Sequence, residues 1–285
     1  MAAAMAALTV GLAQGGVIGY EGFDGYPENY PDGTMPAKAG SVFVDWRPQN
    51  AGRMNVQSAG GLEYGALPVT AGYLNMSSGG TSMAVALDAS AVGPFADYLD
   101  GNGRIGRDGT TLYVSFLYHI TEPSSEQGYF QFYDATVETA PYDGARFGVG
   151  HGWGVTTPVK FYGVTGNPLI HNKDGQTHFV VIRIDYKAGN DEIRVWLDPN
   201  LSAAEADLTP VVGPVTRDAA FNSFFFQSQG RDADGDTYYF DELRFATDWN
   251  SALGGVPLMP PAPPQELTAR AISGEAVLLE WQDTN

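Results

Sequence analysis

The chain has 285 residues, with 33 Asp and Glu against 15 Lys and Arg, a net charge of −18 and a sequence pI near 4.3. Gly (36) and Pro (18) are abundant, the aromatics are 15 Phe, 15 Tyr and 5 Trp, and Cys is absent. These figures exclude the basic stripe of a nucleic-acid binder, a disulfide scaffold, a Cys-based zinc site and a thiol nucleophile; a 44% hydrophobic content argues against an acidic disordered chain, and the Gly, Pro, Tyr and Phe content against a helical bundle.

Residues 1–14 (MAAAMAALTVGLAQ) are apolar and uncharged. The run is shorter than the roughly 20 residues of a membrane span. It fits the hydrophobic region of a signal peptide, with Gly11 and Ala13 at the −3 and −1 positions, although the usual basic start is missing. Export to a secreted or cell-surface location is the expectation, with no membrane span.

Strand patterns follow at 17–20, 41–46, 82–88, 111–120, 128–134, 145–150, 159–165, 178–186, 191–198, 221–229 and 237–245, separated by Gly, Pro, Asp and Asn clusters. In 111–120, Leu112, Val114, Phe116 and Tyr118 share one face. The segment 187–190 (KAGN) reads as a hairpin turn, so Val180, Ile182, Ile184, Ile193, Val195 and Leu197 line one buried face. That leaves Trp196 and Arg194 outward. Helical signals are short, near 94–99, 202–207 and 247–253. The spacing predicts an all-β fold, a two-sheet antiparallel jelly-roll sandwich with short helical turns, over residues 15–253. A Pro-rich linker spans 254–264, and two further strands begin a second, truncated domain at 265–285.

Three segments carry a resemblance: Tyr20-Glu21-Gly22-Phe23-Asp24, the hairpin with Val181 to Asp185 and Ile193 to Pro199, and the closing Tyr239 to Phe245. Their order resembles the laminin-G-like, concanavalin-A-like jelly rolls of bacterial surface and secreted proteins, over about 17–250. The tail is similar to the first two strands of a fibronectin type III module, with Trp281 as its core Trp. The first resemblance implies a structural calcium where the first strand meets the last, held by Glu21 or Asp24 together with Asp241. Independently, acidic loops supply the hard oxygens calcium wants, and Asp232, Asp234 and Asp236 alternate in the loop RDADGD. An EF-hand fails there, because Thr237 and Leu243 replace the Gly and Glu. It fails from Asp100 too, where Arg104 and Thr111 break the pattern.

Catalytic patterns are sparse. A retaining glycosidase needs two carboxyls about 5 Å apart. The Glu-x-Asp-x-x-Glu strand of laminarinase-like enzymes is missing, and alternation puts Asp241 and Glu242 on opposite faces. Gln176-Thr177-His178 matches the Gln-x-His of alginate-lyase-like jelly rolls, without their other strand motifs. His151 sits in the glycine-rich segment GHGWG, which reads as a surface loop. Sugar rings stack on exposed aromatics, so Trp153, Trp196, His151 and Arg194 are the candidate ligand contacts. A charge of −18 disfavours acidic polysaccharides. The expected role is a non-catalytic carbohydrate-binding or adhesion module whose partner is a neutral glycan or a surface protein. The alternatives are a polysaccharide-degrading enzyme of the same fold, or a structural spacer.

Overall fold

The computed structural model describes residues 16–24, 26, 41–49, 54–57, 60–77, 81–121, 127–135, 147–152, 158–229, 237–255, 265–273 and 276–282. The strands are β1 (Val17–Glu21), β2 (Phe43–Gln49), β3 (Met54–Gln57), β4 (Tyr73–Ser77), β5 (Thr81–Leu87), β6 (Thr111–Ile120), β7 (Gln127–Tyr133), β8 (Phe147–His151), β9 (Val159–Tyr162), β10 (Leu169–His171), β11 (Thr177–Asp185), β12 (Asp191–Leu197), β13 (Val212–Arg217), β14 (Ser223–Gln229), β15 (Thr237–Ala246), β16 (Gln265–Ser273) and β17 (Ala276–Gln282). A single α-helical turn, α1 (Trp249–Ala252), and 3-10 turns at Ala96–Tyr98 and Glu205–Asp207 sit within the three predicted helical stretches.

Two antiparallel sheets form a jelly-roll sandwich. The larger runs β13-β12-β11-β6-β15-β4-β3, and β1 adds to β15. The smaller runs β10-β9-β8-β7-β14-β5-β2. Strand neighbours are distant in sequence, as β6 beside β15 and β7 beside β14. Between the sheets lies a core rich in phenylalanine. Phe116 of one sheet meets Phe130 of the other at 4.5 Å, and Phe226 meets Phe240 at 4.7 Å. The predicted faces hold. Leu112, Val114, Phe116, Tyr118, Val180, Ile182, Ile184, Ile193 and Val195 all belong to this core, with Leu197 packed against it.

Sequence patterning missed β3, β4, β10 and β13, which are short or polar. It also missed a second core. The outer side of the larger sheet carries Tyr113, Leu117, Phe179, Val181 and Trp196, and these pack under Leu67, Leu201, Trp249 and Leu253. Trp196 is therefore not outward: it is 3% exposed, and its indole Nε1 donates to the Leu208 carbonyl at 3.4 Å. The reason is that the 60–70 loop, the 199–208 loop and α1 fold back over that face.

β15 crosses a bulge between Asp241 and Arg244. Core positions shift from even numbers (Tyr238, Phe240) to odd ones (Leu243, Phe245). The bulge, with Glu242 at φ 54°, places both Asp241 and Glu242 against the 60–70 loop, rather than on opposite faces as strict alternation requires. The tail strands β16 and β17 pair in a separate two-stranded sheet. This matches the two strands expected after the linker, of which 256–264 lie outside the described residues.

Candidate functional site

Alternation sends Tyr129, Gln131 and Tyr133 of β7, and Phe225 and Gln227 of β14, to the outer face of the smaller sheet, because Phe130, Phe132, Phe224 and Phe226 point into the core. Tyr133 and Phe225 meet edge to face at 5.9 Å. Between β7 and β9, strand β8 offers only Gly148 and Gly150 on this side. Its neighbours in register are Tyr129 opposite Gly150 and Gln131 opposite Gly148 on one flank, and Lys160 and Tyr162 on the other. The Tyr129 ring lies across Gly150, where a Cβ would fall 2.2 Å from it. It meets the Tyr162 ring edge-on at 5.3 Å, and its hydroxyl donates to Gln127 Oε1 at 3.0 Å. Burial raises the Tyr129 phenol, with Tyr162 adding to the rise, so both phenols stay neutral hydrogen-bonding groups. Gln131, Gln227 and Phe225 are buried, while Tyr129, Lys160 and Tyr162 remain partly accessible.

The central strands of this face carry two buried amides, Gln131 and Gln227. An amide donates and accepts hydrogen bonds but does not transfer a proton near neutral pH. The signal for this face in the sequence is the alternation of Gln127, Tyr129, Gln131 and Tyr133 along β7, whose tyrosines are candidate stacking aromatics.

The junction of β1 and β15 gathers the carboxylates proposed for calcium. Glu21 is 1% exposed and accepts from the Phe23 N–H at 2.8 Å and the Tyr26 hydroxyl at 2.7 Å. Asp241 is fully buried and accepts from the N–H groups of Leu62 at 2.9 Å and Glu242 at 2.8 Å. Burial, reinforced by the Glu242 charge against those two donors, pushes the Asp241 carboxyl up to about 8. Glu242, also fully buried, accepts from the Thr70 N–H at 2.6 Å and the Tyr20 hydroxyl at 2.9 Å, and pairs with Arg244. The Arg244 guanidinium also donates to the Pro68 carbonyl at 2.8 Å and lies 5.0 Å from the Tyr20 ring centre. The oxygens that the resemblance offers to calcium are thus engaged by protein donors, and the local cation is an arginine. Asp24 is exposed at the end of this segment.

A different group comes together at the start of β11. His171 of β10, Asp174 of the connecting loop and His178 of β11 bring ligand atoms within 4.8 Å of one another. The His178 ring sits between Asp174 (Nε2 to Oδ1, 2.9 Å) and Asp198 (Nδ1 to Oδ2, 2.7 Å). Burial opposes its charge, but the two carboxylates outweigh this and raise it. Gln176, the other half of the Gln-x-His match, donates its N–H to Asp174 Oδ1 at 3.0 Å and shapes the turn.

The remaining candidates scatter. His151 is not in a surface loop. It ends β8 with no exposed area, its Nε2 3.0 Å from the Tyr238 hydroxyl, and burial foremost lowers it to about 4. Arg194 joins Arg183, Lys187, Asp185 and Glu192 in an open groove of about 440 Å³, where it pairs with Asp185 at 2.8 Å and with Glu192. Asp100 accepts the N–H groups of Asn102 and Arg104 in a tight turn. Trp153, Asp232, Asp234 and Asp236 lie outside the described residues.

No family model matches the chain, and no curated protein matches it. Among solved structures, it overlaps a GH131 beta-glucanase catalytic domain from Podospora anserina at 9% identity, covering 82% of this chain and 96% of that one, with a TM-score of 0.47. A bifunctional GH43-CE protein of Bacteroides eggerthii overlaps at 8% identity, 82% of this chain and 28% of that one, TM-score 0.39. The botulinum neurotoxin serotype G binding domain overlaps at 9% identity, 82% and 49%, TM-score 0.39. At such scores these overlaps assign neither ligand nor reaction to this chain.

Proposed function

We propose that the protein is a secreted or cell-surface module that binds a neutral polysaccharide without cleaving it, on the outer face of the smaller sheet. The observation that carries this is the partly accessible group formed by Tyr129, whose ring covers Gly150 of β8, with Lys160 and Tyr162 on β9 beside it. Aromatic rings offer stacking surface to the C–H face of a sugar, and nearby polar groups fix its hydroxyls. The partly accessible groups here are Tyr129, Lys160 and Tyr162, while the Gln131 and Gln227 side chains are buried. The charge of −18 selects a neutral polymer over an acidic one.

Affinity electrophoresis in gels containing glucan, xylan or mannan tests this. At least one polymer should retard the protein. Losing one stacking ring, worth about 1–1.5 kcal/mol, should weaken binding roughly tenfold in Tyr129→Ala and in Tyr162→Ala. Retardation by none of them, or wild-type retardation of both variants, overturns the reading. Release of reducing ends from a bound polymer would assign catalysis instead.

A further inference from the structure

We infer that His171, Asp174 and His178 form a binding site for a divalent transition metal, zinc foremost, which ties the edge strand β10 of the smaller sheet to β11 of the larger one. The argument starts from the imidazole tautomers. His171 Nδ1 lies 2.5 Å from the Asn172 carbonyl oxygen, and His178 Nδ1 lies 2.7 Å from Asp198 Oδ2. Each acceptor takes an Nδ1 proton, which is the outer-shell arrangement that orients metal-binding histidines. His178 Nε2 in turn donates to Asp174 Oδ1, and an entering metal ion takes the place of that proton. Asp198 is itself built for the task. Its backbone takes φ 49°, and its other oxygen accepts the Phe179 N–H at 2.8 Å. The carboxylate is therefore pinned while it points at the ring.

The two Nε2 atoms and one Asp174 oxygen converge. The ring centres of His171 and His178 are 4.1 Å apart, and His178 Nε2 is 2.9 Å from Asp174 Oδ1. All three ligand atoms lie within 4.8 Å of one another, against roughly 3.4 Å between neighbouring ligands of a tetrahedral zinc, so small side-chain rotations close the set. Two nitrogens and one carboxylate suit zinc, nickel or copper, whereas calcium and magnesium want oxygens alone. The Tyr118 hydroxyl, which meets His171 Nε2, gives up that bond when the ion enters. The Asp174 side chain is 46% exposed, so a fourth position opens to water. Among the described residues no other group of three converges this way.

The site has a mechanical use. Among the described residues, β10 is an edge strand of three residues that pairs with β9 alone, across an irregular register. An ion joining His171 to His178 fastens that edge to the neighbouring sheet, and its binding energy adds to folding energy.

The test uses the full chain without a polyhistidine tag, stripped with a chelator and titrated with zinc chloride. Zinc should bind at one equivalent. At a hundredfold excess over its Kd it should raise Tm by roughly 5–10 °C, while calcium should not. Cobalt in place of zinc should give the visible bands of a tetrahedral site. Asp174→Asn alters an exposed side chain and leaves the fold intact, so it keeps the test valid even where a histidine variant is unstable. Asp174→Asn, His171→Ala and Asp198→Asn should each weaken zinc at least tenfold. An unchanged Tm with zinc, or wild-type zinc affinity in Asp174→Asn and His171→Ala, overturns the inference.

Discussion

Replacing Arg244 with Met probes what closes the junction of the first and last strands. The Arg244 side chain is 5% exposed and that of its partner Glu242 is fully buried. The substitution leaves the Glu242 carboxylate with only neutral donors, the Thr70 N–H at 2.6 Å and the Tyr20 hydroxyl at 2.9 Å. It also strips the Pro68 and Glu242 carbonyls of their guanidinium donors. Removing one partner of a buried ion pair costs about 3–5 kcal/mol, because the survivor stays charged and desolvated. For a domain of this size that is a fall in Tm of roughly 6–20 °C. Urea unfolding of the wild type, Arg244→Met, Glu242→Gln and the double variant forms a cycle. The double variant should be less destabilised than the sum of the singles, since no unpaired charge remains, with about 0.5–3 kcal/mol of coupling. The midpoint should move while the slope stays constant. A single-variant loss below about 1 kcal/mol, the value of an exposed pair, would refute the reasoning. So would simple additivity.

Chelating calcium should leave Tm unchanged if Arg244 supplies the positive charge at this junction; a calcium-dependent rise would restore the calcium expected from Glu21, Asp24 and Asp241. Asp241, beside Glu242 and Arg244, is raised from 3.8 to about 8. Between those values the folded chain holds a proton that the unfolded chain has released, so stability falls as pH rises through the window, at no more than about 1.4 kcal/mol per pH unit. Urea midpoints from pH 5 to 8.5 should show this slope, and Asp241→Asn should flatten it; parallel slopes count against it. Trp196→Ala should cost about 3–5 kcal/mol and leave polysaccharide retardation intact. Tyr162→Ala should do the reverse, and a Trp196→Ala that unfolds normally but loses binding reverses the assignment of the two faces.

The strands with strict alternation were legible in the sequence. The pattern in 111–120 gave β6 to the residue, and the hairpin of β11 and β12 pairs Val180 with Leu197 and Ile184 with Ile193, as its apolar periods imply. Period alone cannot tell a face covered by solvent from one covered by loops. Trp196 therefore reads as outward, and the loops that bury it, with Val181 and Tyr113 on the same face, carry only scattered signals such as Leu67 and Leu201. A bulge is equally silent. Nothing in Tyr239 to Phe245 announces that Asp241 and Glu242 turn to the same side. The histidine group was hidden for another reason. Gln176-x-His178 drew attention as a catalytic match, while the ligand spacing that matters, His171-x-x-Asp174-x-x-x-His178, straddles a turn between two sheets. The fixing carboxylate, Asp198, follows only once β12 is paired with β11.

The two outer faces of the sandwich carry opposite chemistry. On the larger sheet, Trp196 and Trp249 pack at 5.1 Å beneath loops and a helical turn, and the charged side chains near its open edge are already paired, as Arg183 with Asp185 and Glu205. A face closed in this way offers little to a ligand beyond its rim. On the smaller sheet, large side chains alternate with amides, and two glycines of β8 replace side chains between the aromatic flanks. Glycine inside a strand weakens it unless something approaches the backbone closely. At Gly150 that neighbour is the Tyr129 ring, since an added Cβ would fall 2.2 Å from the ring and 2.4 Å from the Gly128 carbonyl. The cost of glycine in β8 is thus offset by the Tyr129 ring, which meets Tyr162 edge to face. The proposed sugar contact rests on that aromatic pair, which is partly accessible, and not on Trp196 and Trp249, which are buried.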